Sequence, residues 1–315
     1  MILGTDLDDL NWPKLVSDDW QDTREGLHRW LQVVGKIQMA SSSLLNHWWN
    51  IGFRVSALGL RTSLMYSGSI YFDIEFDLSN HLLVIRSHQS DVKTIELRSM
   101  SVADFYTEVF RALKDLGIEP NISTRPNEVD PAIDFSKDTE VREYDKDSVS
   151  KYWHQCLGIS QVLEYWRAGF AGKSSPVQLF WGSMDLSQIR YSGRAALVSS
   201  KSTIPNLPVW VLQEAEFREN FSVGFWSGGS TEGSFYSYGS PAPDGITDYR
   251  LDVGYFDKSI GEWILPYELV RASNNPQSMI LDFFSQTYNI VANLANWDRS
   301  MLDIDPERLS TKYHI

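Results

Sequence analysis

Cysteine is nearly absent from this sequence of 315 residues, which contains only Cys156. A single cysteine excludes any disulfide within the chain. Because it falls on the apolar stripe of a predicted helix, we expect a buried thiol rather than a nucleophile. Histidine is also scarce, and no two of the six histidines stand at the spacing of metal ligands. The sequence therefore predicts neither a metal ion nor another cofactor.

Positively charged residues are also fewer than negatively charged residues. The chain has 28 Lys and Arg residues against 41 Asp and Glu residues, which gives a formal charge of −13. This balance argues against nucleic acid or an anionic membrane as a partner, because both require clustered basic residues. No apolar run approaches the roughly 18 residues of a membrane span, and the first residues lack the regions of a secretory leader. We therefore expect a cytoplasmic protein with a solvated acidic surface.

Hydrophobic residues make up 43% of the chain and aromatic residues 13%, which indicates an ordered globular protein with a sizeable core. Amphipathic spacing predicts helices over about 23–40, 101–116, 146–171 and 278–297. Stretches rich in β-branched and aromatic residues predict strands over about 46–57, 61–66, 70–77, 82–87, 176–191, 208–214, 221–227, 234–239, 250–256 and 262–265. Residues 118–145 are polar, contain three prolines and are interpreted as a connector.

The order of elements repeats along the chain. Asn46 aligns with Gln178 at an offset of 132 (178 − 46), and Phe76 aligns with Phe256 at an offset of 180 (256 − 76). These matches predict an α+β fold made of two duplicated helix–antiparallel sheet–helix halves that share a pocket. The halves are residues 1–117 and 146–300, joined by the connector 118–145 and followed by a tail, 301–315. The second half carries an insertion between about 195 and 250.

Both predicted halves contain an amide followed by an aromatic residue. Strand alternation places Asn46 with Trp48, and Gln178 with Phe180, on one face. Two amides at a pseudo-two-fold axis would bind a carbonyl or carboxylate of a small molecule in an apolar pocket. The alternative is that both amides satisfy neighbouring backbone groups.

The predicted insertion and the residue after Asn46 supply further candidates. His47 is either an acid/base residue or a hydrogen-bonded core histidine. In the insertion, a carboxylate among aromatic residues would have a raised pKa and act as a general acid, and Arg218 would hold a substrate carboxylate. We select Glu219 over Glu214 and Glu216, although the pattern does not separate them. A solvated ion pair in a loop is the alternative. Trp226 and Tyr238 complete the predicted substrate-binding set.

Several motifs resemble those of a bacterial family catalogued only as a domain of unknown function, over about Trp12 to Arg299. They are Asn46-His-Trp-Trp49, Gly172-Lys-Ser-Ser-Pro-Val177, Phe180-Trp-Gly-Ser183, Ser192-Gly-Arg194, Gly224-Phe-Trp226 and Leu265-Pro-Tyr-Glu268. The resemblance implies histidine in typical members where this chain has Gln178, Arg218 and Val141. Together with Glu219 those histidines would form a metal site. The set is absent here, so we do not transfer a metal role to this chain.

A narrower resemblance is to the cyclase/decarboxylase class of scytonemin biosynthesis, a cyanobacterial pigment pathway. That chemistry joins aromatic keto acids by ring closure, loss of water and decarboxylation. It implies aromatic walls from Trp48, Phe180 and Trp226, an anchor from Arg218, and an acid/base group from Glu219 or His47.

We therefore predict a metal-independent enzyme of the lyase type that acts on a small aromatic or carboxylate-bearing metabolite by acid/base cyclisation or decarboxylation, in secondary metabolism. One alternative is a non-catalytic small-molecule binding protein. The other is a metal-dependent enzyme in which His47 and His81 join carboxylates of the second half. The sequence leaves the substrate and the oligomeric state open.

Overall fold

The computed structural model describes residues 12–197, 204–228 and 230–304. Within these ranges all paired strands are antiparallel, and the predicted α+β class is confirmed. No helix of the described ranges is long and apolar enough to cross a membrane. The helices are α1 (Gln21–Ala40), α2 (Val102–Asp115), α3 (Lys146–Ala168), α4 (Val209–Glu216), α5 (Tyr267–Arg271), α6 (Pro276–Leu294) and α7 (Arg299–Leu302).

Three of the four predicted long helices begin at a side-chain cap. Ser101 Oγ accepts a hydrogen bond from the Asp104 amide at 3.0 Å at the start of α2. Asp145 and Asn275 cap α3 and α6 in the same way. Each cap satisfies a backbone amide that has no partner within the helix. These polar residues fix the helix starts within a few residues of the positions that the spacing predicts.

The first sheet belongs to the N-terminal half. Its order is β1-β2-β4-β5-β6, and β3 pairs with β4. Helices α1 and α2 cover one face, where the Phe105 ring stacks between Trp30 at 4.9 Å and Phe76 at 6.2 Å. The strands are β1 (Arg54–Val55), β2 (Gly59–Arg61), β3 (Met65–Ser67), β4 (Ile70–Asp77), β5 (Leu82–Ser87) and β6 (Val92–Glu96).

Strand β7 (Met100–Ser101), which directly precedes α2, pairs with β8 (Val141–Arg142), near the end of the connector region. The two strands form a separate two-stranded sheet. The second sheet has the order β13-β14-β12-β11-β10-β9. On one face Phe221 and Phe235 pack against Tyr288 and Phe284 of α6. The other face does not contact α6. The strands are β9 (Gln178–Phe180), β10 (Asp185–Ala195), β11 (Arg218–Trp226), β12 (Ser234–Ser240), β13 (Tyr255–Asp257) and β14 (Glu262–Pro266).

The two sheets are joined edge to edge by a single residue pair. Phe53 precedes β1, Leu179 lies in β9, and they exchange both backbone hydrogen bonds, at 2.9 and 2.8 Å. Both side chains are fully buried in one hydrophobic core that includes residues of both sheets. The halves therefore share a continuous sheet and a continuous core, and the predicted division at 118–145 does not separate two cores.

One of the two sequence offsets coincides with a shared strand register. Asp77 pairs with Leu82 in the hairpin of β4 and β5, and Asp257 pairs with Glu262 in the hairpin of β13 and β14. Both pairs differ by the same offset (257 − 77 = 262 − 82 = 180). The offset of 132 has no such counterpart, because Asn46–Trp48 is a 3-10 helix and Gln178–Phe180 is a strand. Duplication of one ancestral unit stays a prediction.

Three strand predictions, 46–57, 208–214 and 250–256, are wrong over most of their length, and the last contains only Tyr255 and Phe256 of β13. Residues 208–214 lie almost entirely in helix α4, which follows Pro208. A short apolar run does not separate a strand from a helix by periodicity, and proline fits immediately before a helix. Residues 46–57 contain only two strand residues in β1, because His47 and Trp48 have backbone φ angles of 59° and 61° that interrupt extended structure.

Candidate functional site

A cavity of about 480 Å³ lies over the face of the second sheet that α6 leaves uncovered. Strands β10, β11 and β12 form its floor. Their neighbouring residues point into the core below, because side chains alternate along a strand. The polar side chains that these three strands contribute to the cavity lining are Asp185, Ser187, Ser222, Tyr236 and Tyr238.

The walls of the large cavity come from segments that are distant in sequence. Helix α1 and the turn after it form one wall, residues 123–128 of the connector form the second, and α4 with the residues before it forms the third. Trp48 makes two contacts with α4. Its Nε1 donates to Val211 O at 2.9 Å, and its ring packs edge-on against the Trp210 ring at 5.4 Å between centres. Phe180 and Trp181 extend the aromatic lining.

Asp185 lies at the start of β10 and is held by two hydroxyl groups. Ser183 Oγ donates to Oδ1 at 2.5 Å, and the Tyr236 hydroxyl donates to Oδ2. Burial raises the pKa of the Asp185 carboxyl, and the two hydrogen bonds oppose that rise because they stabilise the ionised form. Asp185 thus combines a desolvated position with a fixed orientation.

Glu128 reaches the cavity from the connector. Its backbone φ is 58°, unusual for a residue with a side chain, and its carboxylate lies against Gly182, where a Cβ atom would come within 2.0 Å of Oε1. Burial and the nearby charge of Asp185 raise the pKa of Glu128 to about 7. Within the described part of the chain, neither carboxylate forms an ion pair.

The cavity lining also contains basic side chains, which form no ion pair with Asp185 or Glu128 within the described residues. Lys36 of α1 donates to Asn127 Oδ1 at 2.6 Å and lies 5.5 Å from the centre of the Trp181 ring. Burial lowers the pKa of Lys36 to about 8, and no carboxylate contributes to this value. A further carboxylate in the lining, Glu216, accepts a hydrogen bond from Asn220 Nδ2 at 2.8 Å. The cavity lining therefore combines an acidic floor with two basic side chains in its walls, Lys36 and Arg125.

This arrangement is equipped for proton transfer. A carboxyl group that titrates near pH 7 exists in both protonation states at neutral pH, so it both gives and accepts protons. Tyr236 and Tyr238 stack at 6.1 Å on the same floor, and burial raises the pKa of each hydroxyl well above its ordinary value. Their hydroxyls stay protonated and act as hydrogen-bond donors to Asp185 or to a bound molecule.

Comparison with known families gives one match, to the family of unknown function DUF5996, over residues 12–304. The chain belongs to this family. No curated protein and no solved structure matches the chain. The match covers both sheets and every segment that lines the cavity, so the site lies inside the family domain.

The three positions where typical family members are expected to carry histidine lie in different parts of the fold. Gln178 is fully buried in β9, Arg218 begins β11, and Val141 is exposed on the ribbon strand β8. Among the described residues, no group of three or more His, Cys, Asp or Glu side chains is arranged to hold a metal ion. The side chains of this family member therefore do not form the expected metal site.

His47 lines the cavity, but both of its ring nitrogens have partners. Nδ1 lies 2.8 Å from Ala215 O, and Nε2 lies 2.7 Å from Lys173 Nζ. A lysine ammonium donates only, so Nε2 accepts and Nδ1 donates. Burial, with the charge of Lys173, lowers the pKa of His47. This places His47 as a neutral residue that holds α4 rather than as a free acid/base group.

Glu219 and Arg218 lie outside the cavity lining, contrary to the expectation from the sequence. Glu219 is fixed by Arg194, whose Nε lies 2.6 Å from Oε2, and by Ser192 Oγ at 2.5 Å. Burial raises the pKa of Glu219, but these hydrogen bonds outweigh it and the net pKa is lowered. Arg218 lies over the ring of Phe217, 5.2 Å from its centre. A carboxylate with a lowered pKa is unsuited to act as a general acid.

The predicted amide pair does not meet. Asn46 is exposed on the 3-10 helix, whereas Gln178 is buried against Gly52, and neither lines the cavity. Of the predicted aromatic residues, Trp48, Phe180 and Tyr238 line the large cavity, and Trp226 lines a smaller cavity beside it. Three of the four predicted aromatic residues thus line the large cavity, whereas the predicted charged residues Arg218 and Glu219 do not.

The residues that sequence reasoning missed are Glu128, Asp185 and Lys36. Strand alternation continued beyond Phe180 predicts Asp185 on the opposite face, but the turn at 181–184 pairs these two residues directly across β9 and β10. Glu128 falls in a polar segment without periodicity, which carries no signal for a cavity wall. One signal in the sequence points to Asp185, which follows the motif Phe180-Trp-Gly-Ser183 after a single residue.

Proposed function

We propose that this protein is an acid/base enzyme that acts on a small aromatic molecule bound in the large cavity. The observation that carries the proposal is the pair Asp185 and Glu128: two carboxyl groups, unpaired with any cation among the described residues, face one aromatic-walled cavity. They interact closely enough that the charge of Asp185 raises the pKa of Glu128. Two carboxyls with different environments are a common basis for assigning one acid and one base.

The hydrogen bonds assign the roles within this proposal. Asp185 receives hydrogen bonds from Ser183 and Tyr236, which favour its ionised form and offset in part the rise in its pKa caused by burial, so we assign it as the base. Glu128 accepts no hydrogen bond on its carboxyl group from the described residues and has a pKa of about 7, so it supplies the proton. Trp48, Phe180 and Trp210 provide apolar surface against which an aromatic ring stacks.

The proposal keeps cyclisation and decarboxylation, in secondary metabolism, as the reaction classes. Cyclisation with loss of water requires a proton to be delivered to the departing oxygen and another to be removed from the substrate, whereas decarboxylation of a carboxylate releases CO₂ and takes up one proton at the resulting carbanion. An acid/base pair performs these proton transfers without a metal ion. We also place the reaction in the cytoplasm, which the unpaired and buried Cys156 supports. A metal-dependent reaction through His47 and His81 has less support, because His81 bonds the Tyr144 hydroxyl at 3.1 Å and His47 bonds Lys173.

The experiment incubates the purified protein with a defined mixture of aromatic amino acids, aryl-pyruvates and aryl-acetates and follows each compound by mass spectrometry. We expect one class to be consumed, and Asp185→Asn and Glu128→Gln each to lower the rate by at least about 100-fold, the usual contribution of a general acid or base. Glu219→Gln is the matched control, because this carboxylate lies outside the cavity, and it is expected to retain the rate.

Equal loss in all three variants, or no loss in the two cavity variants, contradicts the proposal. Tight binding of a compound that stays chemically unchanged, with equal affinity in wild type and both cavity variants, favours the non-catalytic binding protein instead. Thermal unfolding of each variant by circular dichroism separates loss of activity from loss of the fold.

A further inference from the structure

A second cavity of about 350 Å³ adjoins the large one. It lies between the first turns of α1 and the end of β11. Both cavities are lined by Glu128, Ser183 and Ile204, so these residues form the boundary between them. A molecule that extends past this boundary would place one group in each cavity.

Arg24 is the distinctive residue of the smaller cavity. Its guanidinium makes one hydrogen bond, from NH1 to Ser227 O at 3.1 Å, and has no carboxylate within 4.0 Å among the described residues. Gly228 lies directly beneath it, since a Cβ atom there would come within 2.7 Å of NH1. A half-buried arginine normally has an anionic partner, because its guanidinium presents five donors. Most of these donors are unused here.

The neighbouring arginine provides the contrast. Arg29 also lines the smaller cavity, but it is neutralised by Glu25 at 3.4 Å and Asp138 at 3.6 Å. Two further acidic residues line the smaller cavity: Asp130 is exposed to solvent, and Glu128, whose pKa is raised to about 7, lies at the boundary with the large cavity. Arg24 is therefore the one cation of this lining that has no carboxylate within 4.0 Å among the described residues, and the charges of Glu25 and Asp18 act on it only from a longer distance.

Two further groups of the smaller cavity fit the same ligand. Ser227 is buried, and its hydroxyl has no hydrogen-bond partner within the described ranges. Burial lowers the pKa of His28 to about 4 and keeps it neutral, although the hydrogen bond from Nε2 to Gly182 O at 2.8 Å opposes this fall. His28 therefore adds no charge but fixes the turn that carries Ser183.

We propose that the smaller cavity binds the anionic group, a carboxylate or a phosphate monoester, of a molecule whose aromatic part occupies the large cavity, and that Arg24 is its anchor. The inference rests on the aromatic cavity of the proposed function but not on turnover. It replaces Arg218, which the sequence suggested for this role. Glu128 then lies between the two groups of the ligand, and a bound anion beside it favours its protonated form, the form that donates a proton.

The test measures binding of three matched probes by isothermal titration calorimetry: phenylacetate, phenyl phosphate and 2-phenylethanol. They share a phenyl ring and differ in the group at the other end. We expect at least one anion to bind about tenfold or more tightly than the alcohol, because charge-assisted hydrogen bonds to arginine are about twice as strong as neutral ones. Which anion binds more tightly identifies the carboxylate or the phosphate as the natural group.

The variants locate the anchor. Arg24→Gln keeps a donor for Ser227 O and is expected to abolish the preference for the anion, whereas Arg218→Gln, a change of the same type outside both cavities, is expected to retain it. Ser227→Ala is a smaller change to the same cavity and is expected to reduce the preference without affecting the fold. Unchanged thermal midpoints confirm that each variant is folded.

Equal affinity for acid and alcohol, failure of both anions to bind at millimolar concentration, or a preference that survives Arg24→Gln would overturn the proposal. The outcome is separable from that of the proposed function. Anion binding through Arg24 with no effect of Asp185→Asn on turnover supports the subsite and removes the acid/base role. The reverse result keeps the acid/base role and removes the subsite.

Discussion

The ammonium group of Lys173 donates a hydrogen bond to Nε2 of His47 over 2.7 Å. The same imidazole donates through Nδ1 to Ala215 O at 2.8 Å, and the His47 amide donates to Glu214 Oε1 at 3.1 Å. These contacts tie the turn after α1 to the last turn of α4. The wall of the large cavity is thus held by a histidine that remains neutral.

Replacement of Lys173 by methionine tests this electrostatic relation. Burial lowers the pKa of His47 most, and the positive charge of Lys173 lowers it further. We therefore expect Lys173→Met to raise the pKa of His47, measured by NMR titration of the imidazole resonances. The matched control is Lys146→Met, because Lys146 lowers the pKa of His81 instead. A His47 pKa that falls or stays constant in Lys173→Met contradicts the assignment.

The titration of Glu128 is expected to depend on Asp185. Burial raises the pKa of Glu128 first and the charge of Asp185 adds to it, giving a value of about 7. Asp185→Asn should lower the Glu128 pKa, while burial keeps it above the ordinary 4.5, as followed by ¹³C NMR of labelled glutamate. Asp73→Asn, a change in the first sheet, should leave it unchanged. No shift in Asp185→Asn would show that the two carboxyls are not coupled.

The same raised pKa sets a pH dependence of stability. Folded Glu128 binds its proton more tightly than unfolded Glu128, so between pH 4.5 and about 7 the folded state carries more protons. Its contribution is fully present below pH 4.5 and is lost as the pH rises through 7. We expect the difference in unfolding free energy between wild type and Glu128→Gln to change in that direction over this range, measured by urea denaturation. A difference that is constant with pH would refute the raised pKa.

A methyl group on Gly35 is expected to disturb the cavity wall. A Cβ atom at this position of α1 would lie 2.2 Å from Cδ1 of Trp181, so the indole has to move. We expect Gly35→Ala to lower the free energy of unfolding by about 1–3 kcal/mol, the usual cost of overpacking, and to weaken binding of aromatic probes. Gly26→Ala is the control on the same helix, because its nearest contact would be Arg142 Cβ at 3.5 Å. It should be neutral or stabilising by up to about 1 kcal/mol. Equal effects of the two changes would contradict the packing argument.

Two buried glutamines are expected to respond oppositely to methionine. Gln178 is fully buried, and neither amide atom has a hydrogen-bond partner within the described residues. Gln32 is equally buried, but its amide donates to Asn127 O and accepts from Asn127 N, both at 2.8 Å. We expect Gln178→Met to raise the unfolding free energy by about 1 kcal/mol and Gln32→Met to lower it by about 1–3 kcal/mol. Stabilisation by Gln32→Met, or marked destabilisation by Gln178→Met, would refute this difference.

The sequence predicts the long elements well, because their signals are local. Helices α1, α2, α3 and α6 combine apolar periodicity with polar residues at or near their starts, and these features act within one or two turns. The predicted strand over 208–214 is wrong because a local signal alone does not decide the structure of this segment. Its apolar run is too short to show a period, and the decision depends on its packing against Trp48, 160 or more residues earlier in the chain (208 − 48 = 160).

The candidate site was predicted only in its aromatic part. Trp48, Phe180 and Tyr238 were found because large aromatic residues in amphipathic patterns tend to line cores and cavities. Asp185 was assigned to the wrong face because alternation was continued through a turn. Glu128 owes its position to the path of a connector without regular structure, so its role depends on tertiary contacts that no local pattern encodes.

The bridge between Phe53 and Leu179 also affects how the protein avoids self-association. Two separate sheets would present four open edges, each with unpaired backbone groups that recruit strands of other chains. Joining β1 to β9 leaves β6 and β13 as the outer strands. Strand β13 has only three residues, and β6 carries Lys93 and Glu96. Short strands and charged side chains both discourage edge-to-edge pairing, and the three-residue strand β3 beside β4 is a further short edge. The bridge therefore leaves the protein with fewer open edges than two separate sheets would have.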